Sequence, residues 1–361
     1  MKPTFHPLRV ARVERLTTDA VAVTFEVPPQ LRSAYAFQPG QHVTVRTPQA
    51  GDDTRRNYSI ASTRELRIGV KRIPGGGFSG YALERMRPGD VVDVMTPTGR
   101  FRVQPDPAEH RRIVAVAAGS GITPILAIVR AVLETEPASE AVLLVQNRSV
   151  AEVMFLEELA DLKDLFPDRF QLIHILSGEQ PDIELFAGRI DGDKMKRLLD
   201  TVIPQEQGVH GWYLCGPQPM VRELRGVLSG RGVPLDRIHS ELFHASVLPA
   251  SGSDGSDPAA GTIAGAGAES CDVTAILDGR RSTFRLPANG PVVLEGMLDV
   301  RTDAPFACRG GVCGTCRAKV IQGEVRMDQC YALEPAEVAA GYVLTCQSHP
   351  TTERLVVDYD V

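Results

Sequence analysis

Val21–Val27 (VAVTFEV) and His42–Arg46 (HVTVR) alternate apolar and polar side chains, the period of a half-buried strand. Asn57–Ser62, Leu66–Lys71 and Val91–Met95 read as further short strands. Pro39-Gly40, Pro74-Gly75-Gly76-Gly77 and Pro88-Gly89-Asp90 punctuate them as turns. Strands this short, at this spacing, predict an antiparallel β-barrel over residues 1–107.

From residue 108 to 245 the period changes. Ile113–Val116 is a continuous apolar run, followed by a helical pattern over Thr123–Val132. Ala141–Val145, Gln171–Ile175, Trp212–Leu214 and Arg237–Leu242 read as strands. Glu152–Leu159, Asp193–Leu199 and Pro219–Leu228 read as helices between them. Alternating strand and helix predict an α/β doubly wound parallel sheet, whose ligands sit at the carboxyl ends of the strands.

Composition then collapses. Nineteen of the 22 residues in Pro249–Ser270 are Gly, Ala, Ser, Asp or Pro, so residues 246–270 are expected to be a flexible linker. Residues 271–361 form a third, α+β domain. Two strand-like runs flank Asp278-Gly279, then come a helix at Val292–Leu298, a Cys/Gly loop, and strands at Ala318–Ile321 and Leu355–Tyr359.

Charge sharpens this division. Residues 1–107 carry 16 Lys+Arg against 10 Asp+Glu, and residues 108–245 carry 14 against 20. A basic first domain suits a grip on a pyrophosphate, and solvated arginines would give the same excess. The net charge of −6 suggests no nucleic-acid partner. Met1–Leu16 has Lys2, Arg9, Arg12 and Arg15 and no apolar core of a signal peptide. Ile113–Val129 is interrupted by Gly119, Ser120, Gly121 and Pro124, so no membrane span is expected and a cytoplasmic location is.

The seven cysteines carry the strongest chemical signal. Cys308, Cys313 and Cys316 stand in one loop at C-x4-C-x2-C, and Cys346 follows after 29 residues. Two sulfide-bridged irons need four thiolates, and Gly310, Gly311 and Gly314 let the backbone wrap them. Zinc would more commonly show paired C-x2-C knuckles or histidine partners. Cys271 and Cys330 fall outside the pattern. In the first domain, Arg56-Asn57-Tyr58-Ser59 offers a cation, an aromatic wall and a hydroxyl, and Gly76, Gly77, Phe78 and Ser79 offer a phosphate cradle. Together these suit a flavin; separately they read as a strand and a turn. In the second domain, Ala118-Gly119-Ser120-Gly121-Ile122-Thr123-Pro124 occupies the first strand-to-helix turn, where glycines admit a pyrophosphate to a helix N-terminus. Cys215, Gly216 and Pro217 end a later strand, where the small Cys215 side chain and bare Gly216 backbone leave room for a flat ring; a merely buried strand cysteine is the other reading. Arg148 and Ser149, after the second strand, suit a ribose 2′-phosphate and hence NADPH; a solvated loop is the other reading.

These motifs resemble the ferredoxin–NADP reductase family, and the Cys-rich domain resembles plant-type ferredoxin, with its β-grasp-like fold. The resemblance implies that Arg56, Tyr58 and Ser59 hold FAD, with Gly76, Phe78 and Ser79 at its pyrophosphate. It implies that Gly119, Gly121 and Thr123 take the pyridine nucleotide. Cys215 would lie by the nicotinamide, and Ser59, Cys215 and Glu241 would form the catalytic face; Glu241 could equally be a solvated charge at a strand end. His42 follows Gly40-Gln41 where an aromatic is commoner in the family, and a half-buried barrel residue is expected. Ala118 stands where many relatives have glycine. Phe78-Ser79, Gly188–Gly192 and the stretch Leu333–Leu344 more closely resemble reductase components serving the di-iron oxygenases of aerobic phenylacetate breakdown. Reductases of Rieske-type aromatic-ring or steroid oxygenases share the domain order. The implied activity is electron transfer from NADPH through FAD and a [2Fe–2S] cluster to a separate oxygenase component.

Overall fold

The computed structural model describes residues 3–46, 55–204, 208–243, 270–287 and 290–361. The chain divides into two compact units, Met1–His244 and Ala245–Val361.

The first unit opens on β1 (Phe5–Thr17), β2 (Ala20–Glu26), β3 (His42–Arg46), β4 (Arg55–Ser59), β5 (Arg67–Lys71), α1 (Gly77–Glu84) and β6 (Val91–Met95). Among the described residues these strands form one six-stranded antiparallel sheet, ordered β4-β3-β6-β1-β2-β5. An antiparallel bridge between Ile60 and Ile68 joins its two edges, so the sheet closes into the expected barrel. Val43, Val45, Ile68, Val70, Val92 and Val94 fill it, and Phe78 of α1 plugs one side at 1% exposure. The alternation reading missed β1. Register shifts at Val10/Arg12 and Arg15/Thr17 interrupt its period of two, so its apolar positions do not alternate along its length. The glycine run read as a turn starts a helix.

The α/β half adds β7 (Arg112–Ala118), α2 (Ile122–Thr135), β8 (Glu140–Asn147), α3 (Leu156–Leu165), β9 (Phe170–Leu176), α4 (Gly192–Thr201), β10 (Gly211–Pro217), α5 (Gln218–Gly230) and β11 (Ile238–Phe243). All pairings are parallel, in the order β11-β10-β7-β8-β9. Both faces of β7 are buried, which is why its sequence is an unbroken apolar run. Ala115 and Ala117 meet Ile125 and Leu126 of α2; Val114 and Val116 meet the layer holding Leu198 of α4 and Leu224 of α5. The strand order reverses between β7 and β10, and the crevice of a doubly wound sheet opens there.

The barrel and the α/β half pack without room for side chains at two points. A Cβ on Gly40, which has φ +98°, would lie 2.3 Å from the Phe101 carbonyl oxygen and 2.8 Å from Ile128 Cδ1 of α2. A Cβ on Gly69 of β5 would lie 2.5 Å from Thr123 Cγ2, at the start of α2.

The second unit contains β12 (Ser270–Leu277), β13 (Arg280–Pro287), α6 (Val293–Val300), β14 (Arg317–Gln322), β15 (Val325–Met327), α7 (Pro335–Ala339), β16 (Tyr342–Leu344), β17 (Ser348–Pro350) and β18 (Arg354–Asp358). Its main sheet runs β13-β12-β18-β14-β16, with β12 and β18 parallel. Helix α6 crosses the sheet closely enough that a Cβ on Gly296 would meet the Phe284 ring and Leu286 at 2.7 Å. This is the expected α+β arrangement. Apart from Ser270, the first residue of β12, the expected linker at 246–270 lies outside the described residues. No helix among the described residues is long and apolar enough to cross a membrane.

Candidate functional site

Strands β3 and β4 set His42 directly opposite Ser59, and Thr44 opposite Asn57. Residues two apart on a strand share a face, so these four polar side chains form a single patch. The Ser59 hydroxyl donates to Glu241 Oε2 at 2.8 Å. His42 Nδ1 faces the other carboxylate oxygen, Oε1, at 3.6 Å. Glu241 stands on β11, where it is paired in register with Cys215 of β10. Its side chain is 15% exposed, so it is a partnered carboxylate and not a solvated charge. His42, expected to be half-buried, is fully buried. Cys215 is also fully buried, and burial, reinforced by the Glu241 charge, pushes its thiol well above the ordinary range. It is a neutral, compact thiol.

Tyr58 and Arg56 share the other face of β4. Tyr58 turns to the barrel, 5.3 Å from the Phe78 ring centroid. Arg56 is exposed, its Nη1 donating to the Arg55 carbonyl at 2.8 Å. The cradle is narrower than its side chains suggest. Phe78 is core, and the Ser79 hydroxyl is taken up internally, accepting from the Ile73 amide at 3.1 Å and donating to the Gly76 carbonyl at 3.2 Å. What remains for a phosphate is the start of α1, eight residues long, with Gly76 as N-cap and no side-chain cap. The first-turn amides of Gly77, Phe78 and Ser79 are donors of the kind a pyrophosphate takes.

In the α/β half, the two turns singled out in the sequence meet. Gly119–Gly121 follows β7, and Gly121 packs directly on the Cys215 backbone. A Cβ on Gly216 would meet Met220 Cε at 2.7 Å and Ala118 Cβ at 3.0 Å. Thr123 is buried and its hydroxyl donates to the Ser120 carbonyl at 2.9 Å, so it shapes the turn. Pro217 ends β10 and is exposed. Arg148 is exposed after β8 beside half-buried Ser149, and the neighbouring Val150 amide donates to Glu179 Oε1 at 3.0 Å.

In the second unit the thiols associate in pairs: Cys308 with Cys313, and Cys316 with Cys346. No group of three His, Cys, Asp or Glu among the described residues converges as ligands of one ion. Two pairs, adjacent through Cys313–Cys316 and Cys308–Cys346, fit two irons with two thiolates each. The Cys313 hydrogen bond holds the Cys308 thiol below the ordinary range, against its burial. The Gly310 amide also points at Cys308 Sγ, at 3.4 Å, and the Gly311 amide supports Cys346. Arg309, left-handed at φ +53°, lays its guanidinium 4.6 Å from the Phe306 ring centroid. Cys271 is buried and Cys330 half-buried.

A closed flavin-type barrel, a doubly wound sheet with its glycine turn at the strand-order reversal, and a paired-thiol domain together define a pyridine-nucleotide-dependent reductase with an iron–sulfur module. Three domain families match in the same order: an oxidoreductase FAD-binding domain over residues 7–103, an oxidoreductase NAD-binding domain over 115–226, and a 2Fe-2S iron-sulfur cluster binding domain over 275–351. The chain is 42% identical over 360 residues to one component of the 1,2-phenylacetyl-CoA epoxidase of Escherichia coli K12, covering 99% of this chain and 98% of that protein. It is 31% identical to the ferredoxin reductase component of 3-ketosteroid-9-alpha-monooxygenase from Rhodococcus rhodochrous, over 98% of this chain and 96% of that one. Phthalate dioxygenase reductase, described as modular for electron transfer from pyridine nucleotides to [2Fe-2S], has the same fold at TM-score 0.57 and 23% identity, covering 98% of both chains. The chain belongs to the iron–sulfur flavoprotein reductases, and is an NAD(P)H-dependent oxidoreductase with FAD and a [2Fe–2S] cluster as its cofactors.

Proposed function

We propose that this reductase draws on NADPH and delivers electrons to the di-iron oxygenase of a phenylacetyl-CoA epoxidase in the cytoplasm. The full-length 42% identity to an epoxidase component carries the choice of partner. The steroid monooxygenase reductase, at 31%, is the more distant relative. FAD bound in the barrel supplies conversion of a two-electron hydride into single electrons, and the [2Fe–2S] cluster supplies a one-electron carrier.

The chain's own residues bind and orient. Arg56 and the first amides of α1 hold the flavin phosphates, and Tyr58 lines the ring. The Gly119–Gly121 turn and the amides that begin α2 take the nucleotide pyrophosphate, with Gly216 and Pro217 walling the nicotinamide. Buried Cys215 presents a small neutral surface there. Ser59, held by Glu241, presents a fixed hydroxyl, and the burial of this group excludes water from the reacting face. Arg148 and Ser149 favour the 2′-phosphate. Cys308 and Cys313 ligate one iron, Cys316 and Cys346 the other. On domains bounded at 107/108 and 245/246, with a linker over 246–270, the flavin, nucleotide and cluster residues belong to three domains, and Glu241 of the second reaches Ser59 of the first.

Co-expression with the oxygenase components of a phenylacetyl-CoA epoxidase and with a Rieske oxygenase tests the partner. NADPH-driven turnover should appear with the first, and turnover only with the second would overturn the reading.

A further inference from the structure

We infer that His42 is a positioning residue for Glu241, held in the required tautomer by Asn57 and Thr44. The inference rests on the reading of Ser59 and Glu241 as the hydride-transfer face and adds a residue to it.

The four-residue patch is polarised in one direction. The Thr44 hydroxyl, fully buried, donates to Asn57 Oδ1 at 2.8 Å, which fixes the orientation of that amide. Asn57 Nδ2, a donor only, therefore faces His42 Nε2 at 3.3 Å. The Thr98 hydroxyl is also 3.3 Å from Nε2. Nε2 must accept, so the proton sits on Nδ1, the atom aimed at Glu241 Oε1. At 3.6 Å this contact is longer than a hydrogen bond, and a closure of about half an ångström makes it one.

The histidine cannot retreat. Its backbone amide and carbonyl both pair with Thr98, at 2.9 Å each. Gly99, at φ +115°, clears the space beside its ring, where a Cβ would come within 2.8 Å of Nδ1. Ser59 binds one oxygen of the carboxylate from β4, and His42 addresses the other from β3. Glu241 belongs to the α/β half, so the two strands of the barrel grip a side chain of the opposite half. An aromatic ring at position 42 would fill the same volume and supply no donor to Oε1. A bare space-filling role would not need the tautomer.

The full-length holoprotein, labelled with 15N-histidine, tests the geometry by NMR. The expected result is a His42 with Nδ1 protonated and Nε2 bare, whose Nδ1 resonance moves in Glu241→Gln more than that of any other histidine. The opposite tautomer, or an Nδ1 indifferent to that change, overturns the inference whatever the enzyme's rates. Rapid-mixing flavin reduction tests the role. His42→Phe should slow reduction at saturating NADPH about tenfold, the loss of one charge-assisted hydrogen bond, with half-saturation unchanged. His42→Asn, whose amide stands near the Nδ1 position, should recover most of the rate. Where the phenylalanine variant does not fold, His42→Gln, whose amide reaches the Nε2 position instead, takes its place. Wild-type rates in these donor-misplaced variants overturn the role of His42. Wild-type rates in Ser59→Ala and Glu241→Gln overturn the parent reading separately.

Discussion

Gly121 and Cys215 pack backbone against backbone: a Cβ at Gly121 would stand 2.3 Å from the Cys215 carbonyl oxygen and 2.6 Å from its carbon. Neither atom is the end of a flexible side chain, so a methyl group must push the two turns apart. Gly121→Ala should therefore lower stability by about 1–3 kcal/mol, as overpacking does, and weaken NADP+ binding. Gly119→Ala is the control. Gly119 has φ +54° and open space around it, so the cost there is backbone strain of about 1–2 kcal/mol, with Cys215 left in place. Thermal melts and nucleotide titrations of the two variants should separate these effects.

The pairing of thiols makes the cluster domain separable in its chemistry. Cys308, Cys313, Cys316 and Cys346, each changed to serine, should lose the visible absorbance of the cluster. Reduction of a dye by NADPH through the flavin should persist in all four. A normal cluster in Cys346→Ser would remove it from the ligand set.

Arg148→Ala should lower the NADPH/NADH preference about tenfold, since one charge-assisted pair to the 2′-phosphate is lost. Glu179, whose carboxylate holds the Val150 amide two residues on, is the local opposing charge. Glu179→Gln should shift the preference the other way. Steady-state kinetics with both nucleotides gives the ratio, and an unchanged ratio in Arg148→Ala rejects the assignment.

His174, on β9, has its titration lowered by burial, and its Nδ1 is buried without a hydrogen-bond partner among the described residues. The unfolded chain therefore takes up this proton first as pH falls. Stability should decline below about pH 6.5, the ordinary histidine value, and continue to fall toward the lower folded value. His174→Leu should flatten that part of the curve, which melting temperatures between pH 7.5 and pH 5 would show.

Arg309 is tied to its own loop twice, by its guanidinium on Phe306 and by its carbonyl, which accepts from Gln347 Nε2 at 2.8 Å. Arg309→Glu should alter the cluster spectrum and leave the oxygenase concentration for half-maximal turnover unchanged. The reverse outcome would make it a partner contact.

Legibility in the sequence followed chemistry more closely than shape. The C-x4-C-x2-C spacing was readable because ligand geometry fixes it, and β7 because a strand buried on both faces has no polar positions. β1 was not readable, because two register shifts break its alternation. Ser79 and Thr123 stand in the first turns of α1 and α2, and their hydroxyls serve Gly76 and Ser120, a distinction no motif carries. His42 was visible only as a departure from an aromatic. Its meaning comes from Glu241, 199 positions away, and from the register that sets it opposite Ser59. The one local hint was the matched pair His42-x-Thr44 and Asn57-x-Ser59, polar residues two apart on neighbouring strands.

The close approaches at Gly40 and Gly69 bear on how such a protein can be rebuilt. Ile128 and Thr123 reach into spaces that exist only because the barrel offers hydrogen atoms there. A barrel transplanted from a relative with any larger residue at either position would collide with the first turns of α2, the same turns proposed to carry the nucleotide. Barrel and α/β half are thus fitted to one another at these two glycines. Exchange of nucleotide preference between relatives is constrained to loop changes such as those around Arg148, and wholesale replacement of the α/β half should succeed only between partners that keep both glycines.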